Sequence, residues 1–296
     1  MTARAAERCL QVPEVTRLLI VDNGSGEEDP ARLAELEGDR AELVALPTNL
    51  GYAGGMQSGI EAALQLGADF VWLLNNDCEV EPSSLRPLLE EMRRHPKTAA
   101  CSGMVLHRRW IHGGGTLSPW SGMLRNAYTA QKARSQRYEV DFVPGIAWLL
   151  RASVIREIGG LDCRLFLIGE EPDWCHRASL RGYRAVIVPE ASIRAEESAT
   201  LGRYRCEPHF YVVRNGAWLV RRQRAPIIQA LHGLLLICYR LPRMIVARMV
   251  RGEMGCIPLV WRAVQEGLTA PAGWSDDPQA ALANRLPAFA SPGSLS

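Results

Sequence analysis

The sequence predicts an α/β chain: a mostly parallel sheet with helices on both faces. Three observations predict it. Short, wholly apolar runs recur, such as "LLIV" over 18–21 and "FVWLL" over 70–74. Each is followed by a polar turn cluster and then by a stretch of helical periodicity. Strands that are apolar on both sides need cover on both faces, and repeated strand–turn–helix units supply it.

Taken in order, 2–11 reads as a helix and 18–21 as a buried strand that runs into the turn Asp22-Asn23-Gly24-Ser25. A short helix over 30–36 and a strand over 42–46 follow. The glycine-rich stretch 51–55 opens a helix over 56–66, which Gly67 can end. The strand 70–74 ends at Asn75-Asn76-Asp77. Pro82 opens a helix that passes Met92 and stops before Pro96, and 99–106 reads as a strand. The Gly-, Ser-, Trp- and Arg-rich segment 107–140 reads as loops and short antiparallel strands. A helix over 153–158 ends at Gly159-Gly160. Another over 172–181 has proline at its first position and ends at Gly182. The strand 185–188 follows.

The segment 226–250 is different. It is apolar, interleaved with Arg240, Arg243 and Arg248 and interrupted by Pro242. Its longest uncharged piece is too short to span a bilayer. It reads equally as an amphipathic helix pair at a membrane surface or as a helical subdomain packed on the core. From 270 the chain is rich in Pro, Ala, Ser and Gly and reads as a disordered tail. The expected organisation is therefore a main domain over 1–222, a basic amphipathic helical appendage over 223–269 and a tail over 270–296.

A formal net charge of +2 over 296 residues argues against general nucleic-acid binding. Eight cysteines are scattered with no C-x-x-C pair, which suggests reduced, mostly buried thiols and a cytoplasmic setting. Charges within 1–11 stand where a signal peptide needs an apolar core.

Four clusters can carry chemistry. Asp22, Asn23 and Gly24 end a strand, where a carboxylate can accept from a nucleobase N–H; alone they are only a turn signal. Asn49, Gly51, Gly54 and Gly55 precede a helix, where backbone can approach a phosphate or nucleoside. Asn76 and Asp77 end "FVWLL", where a carboxylate can bind Mg2+ or Mn2+ together with a diphosphate, or simply cap a turn. Glu170, Glu171 and Asp173 open a helix whose amino end favours their ionised forms. A carboxylate kept ionised there can serve as a general base; the plainer reading is a solvated acidic first turn.

In order, "VDNGS", "NLGYAGG", "LLNND" and "EEPDWC" resemble the family-2 glycosyltransferases with a GT-A fold, in particular the rhamnosyltransferase-like branch. "VPGIAWLLRASVIREIGGLD" and "GYRAVIVPEA" add to the match, which runs from about 18 to 222. The resemblance implies an inverting transfer from a nucleotide sugar to an acceptor hydroxyl, and it makes 107–140 an acceptor-facing insert. Asp22 would contact the nucleobase and Asp77 the divalent metal, with Asn76 beside the donor. Glu171 would be the general base, supported by Glu170 and Asp173. The branch favours dTDP-rhamnose, with UDP- and GDP-sugars open. The acceptor would be a glycan, a lipid-linked glycan or a small natural product. The expected setting is cytoplasmic, peripheral on the inner membrane face if 226–250 docks there.

Two features depart from the family pattern. Family members begin with a central strand ahead of the first helix, and here 2–11 reads as the helix alone. Many relatives carry a metal-ligating histidine where this chain has Ala195, so Glu196 or Glu197 would have to substitute. A non-catalytic, nucleotide-sugar-binding or partner-stabilising relative is the alternative reading. A nucleotidyltransferase is a third, but it lacks its usual glycine- and arginine-rich phosphate loop here.

Overall fold

The computed structural model describes residues 2–25, 38–108, 111–118, 124–128, 136–195, 207–223 and 225–269. The expected helix over 30–36, Glu196 and Glu197, and the tail over 270–296 lie outside them. In chain order the elements begin with α1 (Thr2–Leu10), β1 (Leu18–Asn23), β2 (Ala41–Leu46), α2 (Gly51–Gln65) and β3 (Phe70–Leu74). Next come β4 (Cys78–Glu79), α3 (Arg86–Arg94), β5 (Thr98–Ser102) and β6 (Val105–Leu106). β7 (Ile111–Leu117), β8 (Leu124–Tyr128), β9 (Tyr138–Val140) and β10 (Ala147–Arg151) follow, then α4 (Ala152–Ile158) and α5 (Glu170–Ser179). β11 (Arg184–Ile187) and β12 (Ile193–Ala195) precede the last helices, α6 (Glu207–Gln223), α7 (Pro226–Leu235), α8 (Leu241–Val250) and α9 (Ile257–Gly267).

The α/β class holds, but the central sheet is mixed where a mostly parallel one is expected. Its order is β3-β10-β5-β11-β9. β3, β5 and β11 point the same way, while β10 lies antiparallel between β3 and β5, and β9 lies antiparallel on β11. No strand–turn–helix unit leads into β10, so the alternation that marks the other strands does not mark it. A second sheet, β4-β12-β6-β7-β8, carries the expected antiparallel insert strands.

Side chains alternate across the central sheet with period two. Val71, Leu73, Trp148 and Leu150 face a core shared with α2, α4 and α5. Phe70, Trp72, Ala147 and Leu149 face the opposite core, closed by α3 and by Cys9 of α1. Trp148 and Trp174 meet edge to edge-on face at 6.1 Å between centroids, an arrangement that adds to their burial.

β1 and β2 form a separate parallel pair. Among the described strands neither is hydrogen-bonded to β3, so β1 is paired on one side only.

A third core is built by α6 and α9 with Leu236 and Leu241. The stretch Pro226–Val250 is one continuous helical run rather than a pair. Pro242 lacks an N–H and would clash with the carbonyl of Cys238, and the widened π turn Leu236–Arg240 just ahead of it accommodates both defects. The run is 25 residues long and contains an 18-residue window of mean hydropathy 1.4, so by length and composition alone it is long and apolar enough to cross a membrane. Cys9, Cys78, Cys101 and Cys175 are free and buried, as expected, but Cys256 is disulfide-bonded, so the thiols are not all reduced.

Candidate active site

β1 extends two residues beyond its predicted end and takes Asp22 and Asn23 into the strand. Asp22 is buried, and its Oδ1 accepts from the Ser25 N–H at 3.0 Å, which fixes the turn. Asn23 joins the first two motifs. Its Nδ2 donates to the Gly51 carbonyl at 2.8 Å and to Asn49 Oδ1 at 3.2 Å, and its Oδ1 accepts from the Leu50 N–H at 2.9 Å. Gly51 adopts φ 73°, and a Cβ there would lie 2.4 Å from the Phe166 carbonyl oxygen. Gly54 and Gly55 allow close contact with Leu50 and Asn23. The Ala53 N–H at the amino end of α2 donates to the Phe166 carbonyl at 3.0 Å. The glycines therefore serve packing within the protein, whatever they offer a ligand.

At the end of β3, the Asn75 N–H donates to the Ile146 carbonyl at 2.9 Å, and Asn76 Nδ2 donates to Thr2 Oγ1 of α1 at 3.0 Å. Asn75 Oδ1 is buried and accepts no hydrogen bond. Asp22, Asn23, Asn49, Gly51, Asn76 and Asp77 all line one cavity of about 950 Å³. Gly24, Gly54 and Gly55 do not line it.

α5 begins at Glu170, two residues ahead of its predicted start, so Pro172 is its third residue. Burial overrides the helix amino end, which was expected to keep these carboxyls ionised. It pushes Glu171 up to about 7, and together with the neighbouring Glu171 charge it pushes Glu170 well above the usual range. The Glu171 carboxyl lies against Gly145, whose backbone N–H bonds it; a Cβ on Gly145 would sit 1.6 Å from Glu171 Oε1. The Tyr52 hydroxyl donates to the carbonyl of the same Gly145, and Tyr52 lines the cavity. Burial and the two glutamates hold the Tyr52 hydroxyl well above its usual pKa. Glu171 thus reaches the cavity through Gly145 and Tyr52, although it is not part of the cavity wall.

Asp173 does something else. It is fully buried, with Oδ2 accepting from Arg177 Nε at 2.9 Å and Oδ1 from Arg222 Nη1 at 2.8 Å. Arg222 also reaches Asp162 at 3.1 Å, and Asp162 pairs with Arg164. This network ties α5 to α6 and engages both Asp173 oxygens. Between them, Phe166 and Ile168 adopt φ 63° and 67°, a conformation that non-glycine residues hold only when their surroundings impose it. Asn215 of α6 imposes it, donating to the carbonyls of Leu165, Leu167 and Ile168 at 2.9, 2.9 and 2.6 Å. Phe166 and Ile168 form part of the cavity wall.

Sequence reasoning missed Tyr52, Gly145, Asn215 and Arg222. Tyr52 and Gly145 lay inside quoted motifs; nothing local marks the other two. Ala195 lies on β12, which pairs antiparallel with β4 and sets Ala195 opposite Cys78, the residue after Asp77. Among the described residues no group of three or more His, Cys, Asp or Glu could hold a metal by itself. Asp77 and the unpartnered Asn75 Oδ1 line the same cavity, and such oxygen donors are the kind a hard cation takes when a diphosphate completes its shell.

The model of the family described as Glycosyl transferase family 2 matches residues 2–159, more than half of the chain. The chain belongs to glycosyl transferase family 2. The match spans β1, the glycine loop, Asp77 and Gly145 and ends before α5. A relative within reach is the N-acetylglucosaminyl-diphospho-decaprenol L-rhamnosyltransferase of Mycobacterium tuberculosis, 24% identical over 74% of this chain and 80% of that one. Galactofuranosyltransferase GlfT1 of the same species is 31% identical over 55% of each chain. The fold is similar to that of GalNAc-T7 solved with UDP, GalNAc and Mn2+, with a TM-score of 0.54 and 16% identity over 70% of this chain and 42% of that one. It is also similar to S. aureus TarS 1–349 with UDP-GlcNAc, with a TM-score of 0.52 and 12% identity over 88% and 76% of the two chains. At those identities the likeness concerns the fold: this family-2 glycosyltransferase has the GT-A architecture, followed by C-terminal helices.

Proposed function

We propose that this family-2 chain is an inverting glycosyltransferase that moves a sugar, rhamnose from dTDP-rhamnose as first candidate, to a hydroxyl of a lipid-linked glycan. The observation that carries the reading is the Glu171 carboxyl. Burial poises it at about 7, it is held against Gly145, and it is linked through Tyr52 to the cavity that holds Asp22 and Asp77. A carboxylate poised near neutrality is suited to general-base work.

In this mechanism Glu171 accepts the proton of the acceptor hydroxyl as that oxygen bonds to the anomeric carbon. The bond to the nucleoside diphosphate breaks with oxocarbenium-like character, and configuration inverts because attack comes from the face opposite the leaving group. Asp22 accepts from a nucleobase N–H, and Asn76 lies beside the donor. Glu170 stays protonated and keeps a second charge away from Glu171, while Asp173 holds α5 in place. Asp77 would hold Mg2+ or Mn2+, with Asn75 on the same turn, and the ion when bound would neutralise charge on the leaving diphosphate.

The donor choice is supported by the named rhamnosyltransferase relative, and the lipid-linked acceptor by that relative's decaprenol-diphosphate substrate. Peripheral membrane contact is supported by the last helices, which expose Ile227, Leu231, Leu234, Val246, Met249 and Val250 beside arginines. A second reading, donor binding without turnover, is favoured by the open inner edge of β1, which leaves the strand that bears Asp22 supported on one side only.

Calorimetric titration of dTDP, UDP and GDP, with and without Mn2+, tests the donor site. Metal-dependent binding of dTDP that is lost in Asp77→Ala supports the proposal. A preference for UDP or GDP overturns the donor, and binding without transfer to a prenyl-diphosphate glycan favours the second reading.

A further inference from the structure

Three consecutive apolar side chains, Phe166, Leu167 and Ile168, stand half-buried in the cavity wall, with Glu171 three residues beyond Ile168. The backbone that presents them is strained. Phe166 takes φ 63° and ψ −59°, and the Leu167 N–H donates to the Leu165 carbonyl at 2.7 Å. That is a γ-turn of positive φ, the rare and strained kind. Ile168 follows at φ 67°, which a β-branched residue hardly ever adopts. Glycine would hold the same φ without cost, so the strain goes with keeping a side chain at 168.

The protein holds this turn by its carbonyls. Asn215 Nδ2 serves those of Leu165, Leu167 and Ile168, and the Ala53 N–H serves that of Phe166. Arg214 orients the Asn215 amide, its Nε donating to Asn215 Oδ1 at 2.8 Å. Arg214 in turn lies over the Trp218 ring, 4.2 Å from its centroid. With its carbonyls given to α6 and α2, the turn leaves its side chains to the cavity. Those side chains have no hydrogen bond to offer; what they can supply is burial of another apolar group. They also pack on the core built by α6 and α9 with Leu236 and Leu241. Leu236 and Leu241 belong to the helical run Pro226–Val250, which exposes Leu231, Leu234 and Ile237. Between 225 and 252 the chain carries Arg240, Arg243, Arg248 and Arg251 and no acidic residue. One helical layer thus backs the apolar wall of the cavity and presents a surface suited to anionic lipid.

We propose that Phe166, Leu167 and Ile168 form a subsite for the apolar chain of a lipid-linked acceptor, and that Asn215 is the positioning residue that holds them in place. The proposal rests on the reading of the acceptor as lipid-linked and adds the residues that recognise the lipid. Three side chains without a donor or acceptor suit a hydrocarbon chain and not a sugar, whose hydroxyls would lose their hydrogen bonds to water against them. The shared helical layer and its arginines place this wall next to the surface from which such a chain would arrive.

Calorimetric titration of farnesyl diphosphate and of inorganic diphosphate tests it, because the difference between the two probes isolates the chain. The parent protein should bind farnesyl diphosphate at least about tenfold more tightly, the effect of burying about two methylene groups. Leu167→Ser with Ile168→Ser should bring the two probes within about twofold of each other and leave the affinity for inorganic diphosphate unchanged. Asn215→Asp keeps the size of the side chain but has no N–H for the three carbonyls, and it should lose the same advantage. Ile168→Gly removes side chain and strain together. It should lose most of the advantage with Tm near that of the parent, whereas a purely structural role would lower Tm and keep the advantage. Leu231→Ser with Leu234→Ser, on the outer face, should keep the advantage. Equal binding of the two probes by the parent overturns the proposal. So does an advantage that survives the exchange at 167 and 168, or one that is lost with the outer-face pair. Sugar transfer plays no part in the readout. A chain advantage without transfer leaves the subsite standing and fails the proposed function; transfer to a prenyl-diphosphate glycan without a chain advantage does the reverse.

Discussion

Glu171 shows how two local effects compete at one residue. A helix amino end stabilises a carboxylate by about 1 kcal/mol at most on an exposed surface. A carboxyl raised from 4.5 to about 7 has lost roughly 3 kcal/mol of preference for its charged form, so burial wins. A general base must be ionised, so kcat should rise with pH through about 7. Glu171→Gln should cost at least about 100-fold in kcat and leave nucleotide affinity unchanged; a variant that keeps its rate removes Glu171 from the mechanism. The same carboxyl favours folding only while protonated. Its stabilising effect is full below about 4.5 and lost as pH rises through about 7, so Glu171→Gln should gain stability over the parent at pH 8 relative to pH 4.5 in urea unfolding. Gly145→Ala should mimic the kinetic loss, because its Cβ would occupy the place of Oε1. Normal turnover in that variant would mean that Glu171 works from another position.

Between elements, charge and backbone geometry decide what the side chains can reach. Arg222 of α6 bridges Asp162 and Asp173, and both acids are almost wholly buried. Arg222→Met leaves two acids short of a cation and should cost about 3–5 kcal/mol, read as a fall in Tm with the loop 165–169 loosened. A loss below 1 kcal/mol would show that Arg164 and Arg177 suffice. The pairing of β12 with β4 sets Ala195 beside the Asp77 turn. Ala195→His should therefore tighten Mn2+ binding in the presence of nucleotide at least about tenfold, by titration calorimetry. Unchanged affinity would mean that residue 195 faces away from the metal.

For the whole molecule, the placement of exposed apolar surface carries the prediction. Among the described residues, Leu66, Leu180 and Val212 are the large exposed apolar side chains ahead of residue 226; the rest lie between Ile227 and Trp261. Leu231→Ser with Leu234→Ser should reduce co-sedimentation with anionic vesicles several-fold, and unchanged partition would assign that face to another role. The sequence by itself determined the α/β class, the buried runs of β1 and β3, and the ordered motifs at their ends, because strand burial and turn chemistry are local. Only the tertiary structure decided that β10 enters antiparallel between β3 and β5, that Asp173 is buried and bonded to Arg177 and Arg222, and that burial pushes Glu171 up to about 7. Each of these depends on residues far apart in the chain: Gly145 beside Glu171, Arg222 beside Asp173, Leu149 beside Cys101. Desolvation and ladder pairing arise only once such distant groups meet, so no local pattern records them.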